Sequence, residues 1–401
     1  MGVATTYNPG SMSRFNASFL FALAVMASPA FSADPPPGTT PQEDIDPATG
    51  LARTTIVRPL SDSPLVPEAR RAPPPLPTGP NRPHIALILP TASATLGKLA
   101  DAVRQGFLAA AEVGGKGAPP LSVIAIDSEG AALLDACRQA QAAGALLVVG
   151  GLTRDGAHSL AASDCPRQPV LTLNEPRGDL LPTVFSISLS LEQEARQAAL
   201  LAVADGMRSA IVIHTPSALS RRVEEAFERE WTRAAGQVRR ILYTGTPDEP
   251  GLIRERITGI AADMVFLALD ATDTLAVRPY ITATLPVYAT SFSVNPRAEP
   301  LVNAELQGLR YGEMPWFAQP DHPAVMVYPQ PKTPLSVEHE RLYALGIDAY
   351  RLSLLLLAGT QPPPLDGVTG RITLEGANQF GRALVPTEIE GGRIIPLRAA
   401  P

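Results

Sequence analysis

The sequence predicts an α/β protein of two Rossmann-like lobes joined by hinge crossovers, with a β-rich C-terminal tail. Three observations predict it. Short apolar strands alternate with amphipathic helices from about Ile85 to Asn174, the same alternation returns from about Ala210 to Ser291, and 401 residues exceed what one hydrophobic core organises.

The first segment carries processing signals. Arg14 precedes an apolar run from Ala17 to Ala27, followed by small residues at Ser28, Ala30, Ser32 and Ala33, so residues 1–33 read as a secretory signal peptide. That run falls well short of the ~20 residues a bilayer span needs, and no transmembrane segment is expected in the mature chain. The expected location is the periplasm. The first cysteine is Cys137, so a lipid acceptor is missing near the cleavage region and lipid anchoring is doubtful. Residues 34–83 hold 14 prolines in 50 positions with almost no apolar periodicity, which predicts an extended, disordered linker.

At His84 the pattern changes. Strands are predicted at His84 to Pro90, Leu121 to Asp127, Ala145 to Gly150, Pro169 to Asn174 and Val184 to Ser190, with helices at Leu96 to Ala111, Ala131 to Ala143 and Asp155 to Ser163. A second series follows helix Leu191 to Ala204: strands Ser209 to Thr215, Gln237 to Tyr243, Met264 to Asp270 and Pro286 to Ser291 alternate with helices at Leu219 to Ala235, Gly251 to Ile260 and Thr272 to Thr282. A long helix from about Val337 to Ala358 ends at Gly359, and strands fill Arg371 to Leu397. The expected division is 84–188 with about 292–358 in one lobe, and 189–291 with about 359–398 in the other.

A net charge of -6 without charged blocks excludes a nucleic-acid partner. Cys137 lies within the helix Ala131 to Ala143 and Cys165 just after the next helix, on one expected sheet face, so they form either a disulfide or two buried thiols, the disulfide being the favoured reading.

In open parallel sheets, ligands gather at the carboxyl ends of the strands. Ser93, Thr153, Asn174, His214, Asp270 and Thr290 stand at those ends and form a candidate cleft. Thr153 and Asp270 also precede helices, where capping is the competing role. Catalytic patterns are absent: the chain has no G-x-S-x-G elbow, no H-E-x-x-H helix, no Walker loop and no C-x-x-C, and its five histidines are scattered. Neither an enzyme, a metal site nor a cofactor is expected.

Several stretches together resemble one family. They are "IALILP" (Ile85 to Pro90), "GGLTRDGAHSL" (Gly150 to Leu160), "PVLTLNEP" (Pro169 to Pro176), "LSLEQEARQAA" (Leu189 to Ala199), "VFLALDATDTLAVRPYI" (Val265 to Ile281), "LQGLRYGEMPW" (Leu306 to Trp316) and "LDGVTGRITL" (Leu365 to Leu374). In this order they resemble the LppC-type penicillin-binding protein activators, whose C-terminal module has a periplasmic-binding type 1 fold. The resemblance implies a non-catalytic envelope regulator of peptidoglycan synthesis that binds and stimulates a class A penicillin-binding protein. Met314 and Trp316 are the candidate partner surface on that reading, with packing at a lobe boundary as the alternative. A periplasmic solute-binding receptor of an ABC transporter, with a small molecule such as an amino acid in the cleft, shares the fold and stays open as the second reading.

Overall fold

The structure, a computed structural model, describes residues 82–397, apart from 116, 166, 179, 235, 247 and 360, together with two short strands nearer the N-terminus. Those strands, β1 (Gln42–Ile45) and β2 (Ala52–Thr55), pair antiparallel, with Gln42 opposite Thr55, inside the segment expected as a disordered linker. The signal-peptide reading of residues 1–33 lies outside the described residues.

From His84 the chain alternates strand and helix as β3 (His84–Leu89), α1 (Gly97–Gly114), β4 (Leu121–Ala125), α2 (Ala131–Ala142), β5 (Ala145–Gly150), α3 (Arg154–Ala161), β6 (Val170–Thr172) and β7 (Val184–Ile187). It then passes to α4 (Leu191–Ala204), β8 (Ser209–His214), α5 (Ala218–Ala234), β9 (Gln237–Leu242), α6 (Glu249–Thr258), β10 (Met264–Ala268), α7 (Ala271–Val277) and β11 (Val287–Ala289). The remainder is α8 (Pro300–Asn303), β12 (Leu309–Glu313), α9 (Pro315–Ala318), α10 (Pro323–Met326), α11 (Val337–Ala358), β13 (Leu365–Asp366), β14 (Arg371–Glu375), β15 (Gln379–Ala383), β16 (Val385–Glu390) and β17 (Arg393–Pro396).

Two sheets result. The first runs β13-β14-β15-β7-β6-β5-β3-β4 and the second β17-β16-β12-β11-β10-β8-β9. In each, five parallel strands have the order second, first, third, fourth, fifth, so each lobe is doubly wound with a switch point beside its first strand. Sequence chemistry explains the strand positions. Every residue of β3 is buried, as a central strand covered on both faces requires, whereas the edge strand β9 exposes Gln237, Arg239, Arg240 and Leu242.

The tail corrects the expected division. β12 pairs parallel with β11 in the second sheet, although residues about 292–358 were expected in the first lobe. β13, β14 and β15 extend the first sheet, although about 359–398 were expected in the second. A sequence pattern carries no information about a strand's distant partner, so sequence order alone assigned these residues to the wrong lobes. The chain therefore crosses between lobes three times: after β7, after β12, and at Leu384 between β15 and β16.

Helix α11 returns to the first lobe and packs along α1, where Phe107 meets Tyr350 edge-on with ring centroids 5.3 Å apart. In the second lobe Phe227 stacks on Phe266 at 4.0 Å and on Trp231 at 5.5 Å. A disulfide joins Cys137 of α2 to Cys165, just beyond α3, across a Cα separation of 6.3 Å.

Met314 and Trp316 are not surface residues. They are 2% and 1% exposed and belong to the first lobe's core, with Trp316 packed 5.5 Å from Tyr343. The reason is local: Pro315 opens the single turn α9, and the Trp316 backbone N–H donates to the Val368 carbonyl, which turns the indole inward. The expected partner surface at these two positions is withdrawn.

Candidate functional site

The candidate site is the cleft between the lobes. Its larger cavity, about 810 Å³, is walled by apolar side chains including Leu189, Phe292, Val294 and Leu342, with Asp270, Arg297, Glu338 and Arg341 supplying charge. A smaller cavity of about 180 Å³ shares Leu189, Leu191 and Leu342 with it and adds Arg154, Asn174, Glu192 and Arg222. Both lie where the carboxyl ends of the parallel strands face each other, as the topology dictates.

The six side chains expected there divide. Asp270 lines the larger cavity and Asn174 the smaller, while Ser93, Thr153, His214 and Thr290 are not among the residues lining either. Most are engaged with their own backbone. Thr153 caps α3 by accepting from the Gly156 N–H at 3.0 Å, and Asp270 caps α7 by accepting from the Asp273 N–H at 2.8 Å. Asn174 donates to the Leu152 carbonyl at 3.0 Å and accepts from the Glu175 N–H at 2.9 Å, so it braces the strand end. Ser93 accepts from the Leu96 N–H in the turn before α1. The His214 imidazole lies 3.1 Å from Glu224, which also takes Arg240, and Thr290 is fully buried.

What the sequence reading missed is a set of ion pairs at the crossovers. Arg341 of α11 donates to both Glu313 oxygens, at 2.6 and 2.9 Å, and Glu313 at the end of β12 has no exposed surface. Burial works against the Arg341 cation, but the Glu313 carboxylate outweighs it and raises the Arg341 pKa. Arg382 of β15, 1% exposed, donates to the Ser188 carbonyl at 2.7 Å and the Thr369 carbonyl at 2.9 Å, and lies 3.6 Å from Glu194. Glu194 in turn accepts from the Ser291 N–H at 3.0 Å. Burial lifts the Glu194 pKa, an effect that Arg382 and Arg341 only partly offset. These groups bind segments adjoining all three crossovers to one another.

Closer to solvent, Arg154 at the start of α3 reaches Glu192 at 2.6 Å, and Arg222 of α5 reaches the same carboxylate at 2.9 Å. Desolvation opposes the Glu192 charge, yet the Arg154 hydrogen bond and both guanidinium charges prevail and hold its pKa below the ordinary value. Arg297 donates twice to Glu340 of α11, at 2.8 and 3.0 Å. Glu192 and Glu194 stand in the first turn after Ser190, where acidic residues complement the helix dipole.

In chemical terms the cleft offers apolar area and arginines already held by carboxylates. Among the described residues, no group of three or more His, Cys, Asp or Glu could hold a metal ion, and no helix is long and apolar enough to cross a membrane.

Comparison with known proteins agrees with this architecture. The family described as LppC putative lipoprotein matches residues 80–260 and 251–391. A penicillin-binding protein activator LpoA from Pantoea ananatis is 26% identical over 318 residues, covering 67% of this chain and 47% of its own length. The chain thus spans about half the length of the curated relatives it matches. Among solved structures, a putative branched-chain amino acid ABC transporter from Chromobacterium violaceum is 37% identical with a TM-score of 0.66, covering 76% of this chain and 99% of its own. The LpoA C-domain from Haemophilus influenzae, titled a regulator of PBP1A, has a TM-score of 0.63 at 23% identity, covering 79% of this chain and all of its own.

Proposed function

Because the chain belongs to the LppC putative lipoprotein family, we propose that it is a non-catalytic regulator of the bacterial envelope that binds and stimulates a class A penicillin-binding protein. The observation that carries this reading is the extent of the match, which runs through both lobes and the crossovers rather than through one motif. Relatives named as penicillin-binding protein activators support the same partner class. The cleft chemistry is compatible: the two arginines of the larger cavity are held by Glu340 and Glu313, and the two of the smaller by Glu192, so none is poised as an electrophile or general acid. On this reading the protein acts by contact and leaves bond-making to the synthase.

The test is direct. The purified chain, immobilised, should retain a class A synthase of the same organism, and adding it to that synthase should raise the rate of glycan polymerisation. Absence of both effects with every class A synthase of that organism sinks the reading.

A second reading, a periplasmic solute receptor of the amino-acid type, is favoured by one observation, the 810 Å³ cavity between the lobes. The Chromobacterium structure's title lies on that side. Against it, an amino-acid carboxylate would find Arg297 and Arg341 already engaged by carboxylates. Calorimetry against an amino-acid panel, repeated with Asn174→Ala and Asp270→Ala, decides: micromolar binding lost in both variants supports the receptor, and no heat across the panel removes it.

A further inference from the structure

Among the described residues, four ion pairs join an element of one lobe to an element of the other. Arg154 of α3 meets Glu192 of α4 at 2.6 Å, Arg297 before α8 meets Glu340 of α11 at 2.8 Å, Arg341 of α11 meets Glu313 of β12 at 2.6 Å, and Arg382 of β15 meets Glu194 of α4 at 3.6 Å. The last two are buried at the crossovers. The first two are partly open to water on their arginine side and line different ends of the cleft, Arg154 with Glu192 in the smaller cavity and Arg297 in the larger.

We propose that the two outer pairs, Arg154 with Glu192 and Arg297 with Glu340, form an electrostatic clasp that holds the lobes at one fixed angle. In the same device the buried pairs stiffen the crossovers about which the lobes would turn. The physical argument concerns what parting would cost. Glu192 and Glu340 are largely covered, so separation would leave a shielded carboxylate without its cross-lobe cation, a far worse outcome than losing an exposed pair. Glu192 is further anchored to the second lobe by Arg222, so Arg154 is the partner that has to let go. At the crossovers, Arg382 also ties the Ser188 and Thr369 carbonyls, so a hinge rotation would break hydrogen bonds to buried backbone as well. A binding protein that works by opening and closing needs two lobe arrangements of similar free energy, and this wiring favours one. The chain then presents both lobes as a single rigid surface. This inference goes beyond the regulator reading and stands whether or not a synthase binds.

The test is a distance measurement between nitroxide labels on the exposed positions of Ala131→Cys in α2 and Thr232→Cys in α5, made on the full chain with the Cys137–Cys165 disulfide intact. The clasp predicts one narrow distance, unchanged by the amino-acid panel. In Glu192→Gln combined with Glu340→Gln, a second, longer distance should appear in at least a tenth of the molecules. The charge reversal Arg297→Glu with Glu340→Arg, made with Glu192 intact, should restore the single narrow distance that Glu340→Arg alone disturbs; a role in folding alone would not produce that rescue. Two distances in the unaltered chain overturn the proposal. So does a double Gln variant, folded by circular dichroism, whose distance stays as narrow as the parent's.

Discussion

Gly106 of α1 and Gly346 of α11 lie in the same helix crossing, each against the other helix's backbone. A Cβ on Gly106 would strike the Tyr343 carbonyl, and one on Gly346 would strike the Val103 carbonyl. Close approach of these two helices seals the outer face of the first lobe's core, where Val103, Phe107, Ile347 and Tyr350 are buried. Gly346→Ala should therefore lower stability by about 1–3 kcal/mol through overpacking, despite its better helix propensity. Gly259→Ala, where nothing lies within 4 Å of the added methyl and φ is -81°, should be neutral or slightly stabilising. Urea unfolding of both variants checks the contrast.

The Arg341 and Glu313 pair predicts an asymmetry. Arg341→Met leaves a carboxylate with no exposed surface facing no guanidinium, and should cost about 3–5 kcal/mol. Replacing both, as Arg341→Met with Glu313→Met, should recover most of that loss. Denaturant midpoints for the single and double variants measure the difference.

Trp316 predicts a core effect without an interface effect. Trp316→Ala should cost about 3–5 kcal/mol by leaving a cavity beside Tyr343. Trp316→Phe should keep the fold and leave retention of a class A synthase unchanged, since the indole does not reach the surface. Weakened retention by folded Trp316→Phe protein would contradict its buried position.

The disulfide closes a loop with a sequence separation of 28 residues. Chain entropy then assigns it about 3–4 kcal/mol, so reduction should lower the unfolding midpoint by that equivalent. Parallel urea titrations with and without a reductant give the value directly.

Glu192 predicts a pH signature. Its pKa is lower folded than unfolded, so its contribution is present above the unfolded value of about 4.3 and is lost as pH falls through the folded one. At pH 7 Glu192→Gln should be less stable than the parent by about 1 kcal/mol, and the gap should close below pH 4. Glu194 runs oppositely: burial raises its pKa, so protonating it on acidification favours the folded state. Stability curves of parent and Glu192→Gln between pH 3 and 7 separate the two.

Much of this fold was legible because its central strands are continuous apolar runs. His84 to Leu89 and Ala145 to Gly150 read as covered strands, and Gly359 after Ala358 marked the end of α11. β12 was hidden because Arg310 and Gly312 interrupt its apolar positions. Of the six side chains expected at the strand ends, Asp270 and Asn174 line the two cavities and the other four do not. A polar residue at a strand end serves a cap or a ligand equally well in sequence, and Thr153 and Asp270 both cap. The ion pairs were out of reach, since Arg341 and Glu313 are 28 residues apart and lie on elements in different lobes, on either side of the second crossing. Trp316 was misjudged because an aromatic after Met-Pro carries no sign of which way the turn faces.

Each sheet needs strands from the last stretch of the chain, β14 and β15 in one and β16 and β17 in the other. Neither lobe can therefore complete its sheet before residues 371–396 are available. Assembly waits for segments nearly 300 residues apart, such as β3 and β14, to meet in one sheet, a slow search. A fragment ending before Arg371 would lack the antiparallel borders of both halves together, so truncation should fail globally instead of sparing one half.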